Sequence, residues 1–76
     1  MLDEATIYVT ARIGREKLAW RRLSSSRDTV DVYWNGSRKI SARVLGNNLD
    51  EIEKFVDNLR KRPYIKNVRI VYSEKK

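Results

Sequence analysis

The spacing of apolar residues changes in a fixed order along the 76-residue chain, and this order restricts the fold more than any other feature. Apolar residues alternate with polar ones in residues 5–13, 29–34, 38–45 and 67–73. Such alternation predicts strands with one buried face. In residues 15–24, and between Asn48 and Pro63, apolar residues recur every three or four positions, which predicts amphipathic helices. The predicted order of elements is therefore β-α-β-β-α-β.

The second predicted helix has clear signals at both ends. Asn48 is a good N-cap residue, and Glu51 lies three positions later, as in a capping box. Pro63 ends the helix, because proline has no amide hydrogen to donate and its ring clashes with the preceding turn. The apolar stripe of this helix consists of Leu49, Ile52, Phe55, Val56 and Leu59.

Asn35-Gly36 separates the second and third predicted strands and is a strong short-range signal for a hairpin. A two-residue turn there would pair even-numbered residues with odd-numbered ones and make the core half polar. Because register follows the buried face, we expect a three-residue loop at 35–37, or a bulge, that pairs even-numbered residues with each other. The predicted core faces of the two strands are Val30, Val32 and Trp34, and Ile40, Ala42 and Val44.

Two helical crossovers and one hairpin leave few right-handed arrangements of these elements. The simplest is an α+β fold of the ferredoxin-like type, with a four-stranded antiparallel sheet in the order 4-1-3-2 and both helices on one face. We expect a single domain over residues 1–76, with polar tails at 1–4 and 74–76. The core face of the first strand is predicted to consist of Ile7, Val9, Ala11 and Ile13.

Composition limits the chemistry that the chain can perform. The chain has no cysteine and no histidine, which excludes disulfides, thiolate metal sites and the commonest general base. We therefore expect no enzyme, no catalytic residue, no metal site and no cofactor. No apolar run approaches the roughly 20 residues of a membrane span, so we expect a cytoplasmic protein without a membrane partner. The richness in lysine and glutamate is typical of thermophile proteins.

The net charge of +7, from 17 Lys and Arg against 10 Asp and Glu, indicates an anionic partner. One face of the predicted sheet, here called the open face, carries no helices and is free to bind a partner. Its predicted residues are Tyr8, Arg12, Asp31, Tyr33, Lys39, Ser41, Arg43, Arg69 and Val71. Together with the basic first helix, this face is a candidate surface for DNA or RNA. The candidate nucleic-acid-binding residues are Tyr8, Arg12, Arg15, Lys17, Arg21, Arg22, Lys39, Arg43 and Arg69.

Self-association is the competing hypothesis for the open face. Tyr8, Tyr33 and Val71 present apolar surface there, which favours burial against a second copy of the chain. The sequence therefore predicts a homodimer with these three residues in its interface. Docking on an acidic protein is a third alternative that the charge pattern leaves open.

The run LGNNLDEIEKFVDNLRKRPYIKNVRIVYS, which starts at Leu45, resembles the second half of the RAM domain. RAM domains are the effector and oligomerisation modules of leucine-responsive (Lrp/AsnC-type) transcription regulators, and ACT domains share the same pattern. The shared features are a Gly/Asn loop before a hydrophobic helix, a proline at the end of that helix and a valine-rich last strand. The resemblance implies a ferredoxin-like regulatory and self-assembly module, without enzymatic activity, that is associated with transcription regulation.

The chain departs from the RAM pattern at two places. Tyr64 stands where the RAM domain usually has glycine, and basic residues 38–39 replace the acidic residue that often follows the hairpin glycine. No amino-acid-binding residue is therefore carried over from the family. Ile7-Tyr8-Val9 also resembles the start of the first RNA-recognition signature, whereas Ser41 and Arg43 stand where the second signature has aromatic residues.

Overall fold

The structure, a computed structural model, describes residues 3–72. Its elements follow the predicted β-α-β-β-α-β order. They are β1 (Asp3–Ala11), α1 (Glu16–Ser24), β2 (Thr29–Trp34), β3 (Lys39–Gly46), α2 (Leu49–Arg60) and β4 (Ile65–Tyr72). No helix in this part of the chain is long and apolar enough to cross a membrane.

The four strands form one sheet in the order β2-β3-β1-β4, and all neighbouring strands are antiparallel. This is the predicted 4-1-3-2 order read from the other edge, so the ferredoxin-like fold is confirmed. One side of the sheet packs against α1 and α2 and forms the core. The buried residues of β1 and β3 include six that alternation predicted, Ile7, Val9, Ala11, Ile40, Ala42 and Val44, and also Ala5.

Local signals account for α2. The side chain of Asn48 accepts a hydrogen bond from the Glu51 amide at 3.0 Å, which confirms the predicted N-cap. The Glu51 carboxylate accepts in return from the amide of Asn47 at 2.9 Å, one residue before the cap. Ile52, Val56 and Leu59 are buried, as predicted. Leu49 is 48% exposed, because a side chain in the first helical turn projects back past the end of the helix.

The first strand lies two residues earlier than predicted. β1 begins at Asp3, so the predicted polar tail 1–4 includes two strand residues, and it ends at Ala11. The chain then turns through Gly14, whose φ is +81°, a conformation that suits glycine. Ile13 was predicted to be buried but is 79% exposed, because it lies in this turn beyond the sheet. The predicted tail 74–76 lies outside the described residues.

Near its turn, the hairpin between β2 and β3 pairs even-numbered residues with each other, as the sequence predicted. Trp34 pairs with Ile40, and the Asn35 amide donates to the Lys39 carbonyl at 2.6 Å. Four residues, 35–38, therefore connect the strands, where a three-residue loop at 35–37 was predicted. Even-numbered residues pair with each other at this end of the hairpin.

A bulge in β2 reverses the pattern further from the turn. The register shifts between Val30 and Tyr33, and Asp31 within this stretch has a φ of +53°. One extra residue on β2 moves every earlier side chain of the strand to the opposite face. Val30 consequently pairs with Arg43 on the open face, and its predicted place in the core is wrong. Thr29 is buried in its stead.

Candidate interaction surfaces

The strand register aligns the side chains of the open face in rows across the sheet. The central row crosses all four strands, and the next row lies beside it. The central row is Tyr33, Ser41, Tyr8 and Arg69; the next row is Val30, Arg43, Thr6 and Val71. A third row at the end of the sheet contains Lys39, Thr10 and Asn67.

Three large apolar side chains of the open face are exposed to solvent. Tyr33 is 59% exposed, Val71 43% and Tyr8 40%. They occupy two adjacent rows and extend from the β2 edge to the β4 edge. The residues predicted for a dimer interface therefore lie together on one uncovered surface.

Arg43 lies between two carboxylates on this face. Its guanidinium is 3.3 Å from the Glu4 carboxylate and forms a short ion pair with Asp31. The hydrogen bond and charge of Asp31, and then those of Glu4, raise the pKa of Arg43 above its usual range. Arg43 was predicted to contact nucleic acid, but its charge is already paired within the protein. Glu4 was missed as a face residue because the sequence placed it in a tail.

Lys39 and Arg69 form no ion pair with another residue in the range 3–72. Both border a shallow depression of about 280 Å³ at one end of the open face. Its polar lining also includes Tyr8, Thr10, Asn35 and Asn67. Lys39 lies in the row at this end of the sheet, whereas Arg69 lies in the central row, opposite Tyr8 and two residues from Val71 on β4.

The candidate nucleic-acid-binding residues of α1 lie on the other side of the sheet from the open face. Lys17 and Arg21 are exposed on α1, whereas Arg22 is half-buried, with its guanidinium 5.4 Å from the centroid of the Phe55 ring. Arg22 therefore packs α1 against α2. A single flat surface cannot include both α1 and the open face, because the sheet separates them.

Arg12 and Arg15 belong to neither group. Arg12 follows the last residue of β1, and its amide donates to the Tyr64 carbonyl at 3.0 Å, while Arg15 precedes α1. The prediction that Arg12 lies on the open face is wrong, because β1 ends before it. The nine candidate residues fall into three places: the open face, α1 and the loop between β1 and α1.

Three loops meet at the end of the sheet where β1 ends. The Ala11 amide donates to the Arg38 carbonyl at 2.8 Å, and the Arg12–Tyr64 bond joins the loop between α2 and β4. We call this region the basic end. Its cationic residues are Arg12, Arg15, Arg38, Lys39, Lys61, Arg62 and Lys66, and the first turn of α1 beside it adds one acid, Glu16, and one base, Lys17. Four of these, Arg38, Lys61, Arg62 and Lys66, were not among the predicted site residues.

The opposite end of the sheet, here called the acidic end, has the reverse composition. There β1 begins, β3 passes into α2, and the Leu45 amide donates to the Asp28 carbonyl at 2.8 Å in the connection before β2. Its acids are Asp3, Glu4, Asp28, Asp50 and Glu51, and its cations are Arg27 and, in the last turn of α1, Arg21 and Arg22. Charge is thus separated along the strands. No cluster of metal-ligating side chains occurs among the described residues.

Comparison with known proteins relates the chain to a transcriptional regulator of known structure. No family model and no curated protein matches the chain. A solved structure from Pyrococcus furiosus, described as a transcriptional regulatory protein and a member of the AsnC family, is similar with a TM-score of 0.72 and 27% sequence identity. The match covers 96% of this chain and 53% of that one, so this chain spans about half the length of the regulator. The predicted resemblance to Lrp/AsnC-type regulators is confirmed.

Proposed function

We propose that this chain is a non-enzymatic regulatory and self-assembly module of the RAM type, associated with transcription regulation, which forms a homodimer through its open face. The similarity to a transcriptional regulator of the AsnC family supports the regulatory role. The observation that carries the dimer is the group of exposed apolar side chains, Tyr8, Tyr33 and Val71, on a sheet face without covering helices. Burial of this apolar surface against a second copy favours association.

The charges of the open face are compatible with burial. An unpaired charge is costly to remove from water, whereas a charge with its counterions in place costs less. Arg43, in the middle of the face, has Asp31 and Glu4 as partners. Lys39 and Arg69 lie at the depression near the basic end. An interface centred on Tyr33 and Val71 leaves Lys39 at its solvated rim, and Arg69, which pairs with Tyr8, stays near water because β4 is an edge strand.

Direct binding of nucleic acid by the open face is the alternative function. It would use Tyr8 for stacking and Lys39 and Arg69 for phosphate contacts. The separation of α1 from this face removes Lys17 and Arg21 from such a surface. Docking of an acidic protein is a further alternative, and both differ from the dimer in the molecular mass of the free protein.

The test compares two substitutions of equally exposed aliphatic residues on opposite sides of the sheet. Val71 and Leu18 are both 43% exposed, on the open face and on α1 respectively. Sedimentation equilibrium over micromolar to submillimolar concentrations should give twice the 9.0 kDa chain mass for the wild type. Val71→Lys should weaken the dimer, because it places two ammonium groups in the interface, whereas Leu18→Lys should leave the mass unchanged.

Circular dichroism melts show whether both variants remain folded. A mass of one chain over the whole range would refute the dimer. A dimer that Leu18→Lys dissociates and Val71→Lys does not would show that the helical side associates instead. If the wild type is monomeric and a Tyr8→Ser variant loses affinity for single-stranded nucleic acid, the alternative function is favoured.

A further inference from the structure

Most of the net charge of the protein is located at one end of the fold. Within the described residues, the basic end has seven cations, and the adjoining Glu16 and Lys17 of α1 add no net charge, whereas the whole chain has a net charge of +7. This cluster of charge is not evident from the sequence, because its cations come from three segments that are distant along the chain. None of the seven forms an ion pair with a residue in the range 3–72.

The basic end forms an exposed surface of substantial width. Six of its seven cationic residues are exposed, and Arg38 is half-buried. The dimensions of the molecule are 39 × 21 × 19 Å. A nine-residue strand is about 30 Å long, so the longest dimension follows the strands and the basic end has a cross-section of 21 × 19 Å. The acidic end lies at the far side of the long dimension, beyond the Debye length of roughly 10 Å at 0.1 M salt.

Seven like charges on one small surface repel each other, so the surface is stabilised by an anionic partner. Duplex nucleic acid presents about one phosphate charge per 1.7 Å of its axis, and a stretch as wide as the basic end offers enough phosphates for every cation. Four of the seven are arginines, whose planar guanidinium binds phosphate oxygens in pairs. Stable attachment to a lipid surface needs apolar insertion as well as charge. The exposed apolar residues at this end are Ile13 and Trp34, and the ring of Trp34 is stacked on that of Trp20 in α1, with 5.0 Å between the centroids.

We propose that the basic end binds the phosphate backbone of duplex nucleic acid. The contacts come from the loops at 12–15, 36–39 and 61–66, and not from α1 or the middle of the open face. Binding of this kind is independent of base sequence, because phosphates carry no sequence information. The surface lies at the end of the sheet and not within the proposed open-face interface, so the proposal does not require that the chain dimerises.

The test uses three double variants that remove the same charge, one lysine and one arginine each. Lys61→Gln/Arg62→Gln changes the basic end, and Lys17→Gln/Arg21→Gln changes α1. Arg27→Gln/Lys54→Gln is the matched control, because both residues are exposed and lie outside all candidate surfaces. Fluorescence anisotropy with labelled duplex DNA and with duplex RNA of arbitrary sequence measures affinity between about 50 and 200 mM salt.

The wild type should bind, with an affinity that falls steeply with salt. Loss of two phosphate contacts should reduce the slope of log K against log salt by about two, and should weaken binding about 60-fold at 0.1 M salt. The other two double variants should bind within about threefold of the wild type. Equal affinity for DNA and RNA would show that the phosphate backbone is the ligand. Tighter binding to one of them would show which kind of duplex supplies the phosphates.

Three results would overturn the proposal. The first is no affinity for either duplex at the lowest salt, where electrostatic contacts are strongest. The second is an equal loss in all three double variants, which would mean that net charge alone drives binding. The third is tighter binding to vesicles that contain anionic lipid, or to polyglutamate, than to either duplex.

Discussion

Replacement of Tyr33 by serine tests the proposed dimer interface, because this substitution should have the largest effect on the dimer dissociation constant. The residue is 59% exposed, the most of the three apolar side chains on the open face. A tyrosine buries about 200 Å², so about 120 Å² would leave water in a dimer. At about 25 cal/mol per Å² this contributes about 3 kcal/mol, and ordering of the ring costs about 1 kcal/mol.

A net contribution of about 2 kcal/mol occurs twice in a two-fold interface, which gives about 4 kcal/mol for the dimer. The Tyr33→Ser variant should therefore raise the dimer dissociation constant about 1,000-fold. The free energy of unfolding of the isolated domain should fall by about 1 kcal/mol or less, because most of the side chain is already in water. The two quantities separate a defect in assembly from a defect in folding.

Sedimentation equilibrium measures the dissociation constant, and urea unfolding at a concentration where both proteins are monomeric measures stability. Ile13→Ser is the control, since Ile13 is 79% exposed and lies outside the open face. A change in the dissociation constant of less than tenfold for Tyr33→Ser would refute the interface. An equal change for Ile13→Ser would refute it as well, because it would show that exposed apolar area anywhere promotes association.

Three further predictions concern the fold. Asn48→Ala removes the hydrogen bond to the Glu51 amide and should cost about 1 kcal/mol, seen as a fall of about 4–8 °C in Tm by circular dichroism. Partial burial and the bond to Glu53 raise the pKa of Tyr72, so the absorbance at 295 nm should show that its phenol ionises above the usual range, and Tyr72→Phe should remove that part of the titration. Since the neutral phenol is favoured in the folded state, its contribution to stability is complete below pH 10 and is lost as pH rises through the raised pKa. Asp31→Val places a β-branched residue at a φ of +53°. The free energy of unfolding should fall by about 1–2 kcal/mol, seen as a lower urea midpoint.

The parts of the fold that the sequence predicted well depend on local chemistry. The cap and buried stripe of α2 are encoded by Asn48, Glu51 and the residues that follow, so neighbours along the chain suffice. The bulge in β2 could not be predicted in this way. One extra residue changes the face of Val30 without changing the alternation that was used to place it, and an aspartate at position 31 tolerates the left-handed conformation but does not require it.

The candidate surfaces show the same limit. Alternation placed Tyr8, Tyr33 and Val71 on the open face correctly, because the two faces of a strand can be assigned from the residues of that strand alone. The pairing of Arg43 with Glu4 depends on the register of β1 and β3, which one strand alone does not contain. The basic end depends on the meeting of three loops, and in the sequence Arg38 and Lys66 are simply two separate surface charges.

The separation of charge along the strands restricts how two open faces can pair. A two-fold dimer can align the strands of its protomers in parallel, which brings the two basic ends together, or antiparallel, which brings each basic end beside the acidic end of the partner. Coulomb repulsion disfavours the first arrangement and attraction favours the second. We therefore expect an antiparallel dimer whose dissociation constant rises with sodium chloride, because salt screens the attraction. Lys61→Gln/Arg62→Gln should weaken this dimer at low salt and reduce its salt dependence. A dimer that tightens with added salt, or with this double substitution, would show that the basic ends lie together and would contradict the antiparallel arrangement.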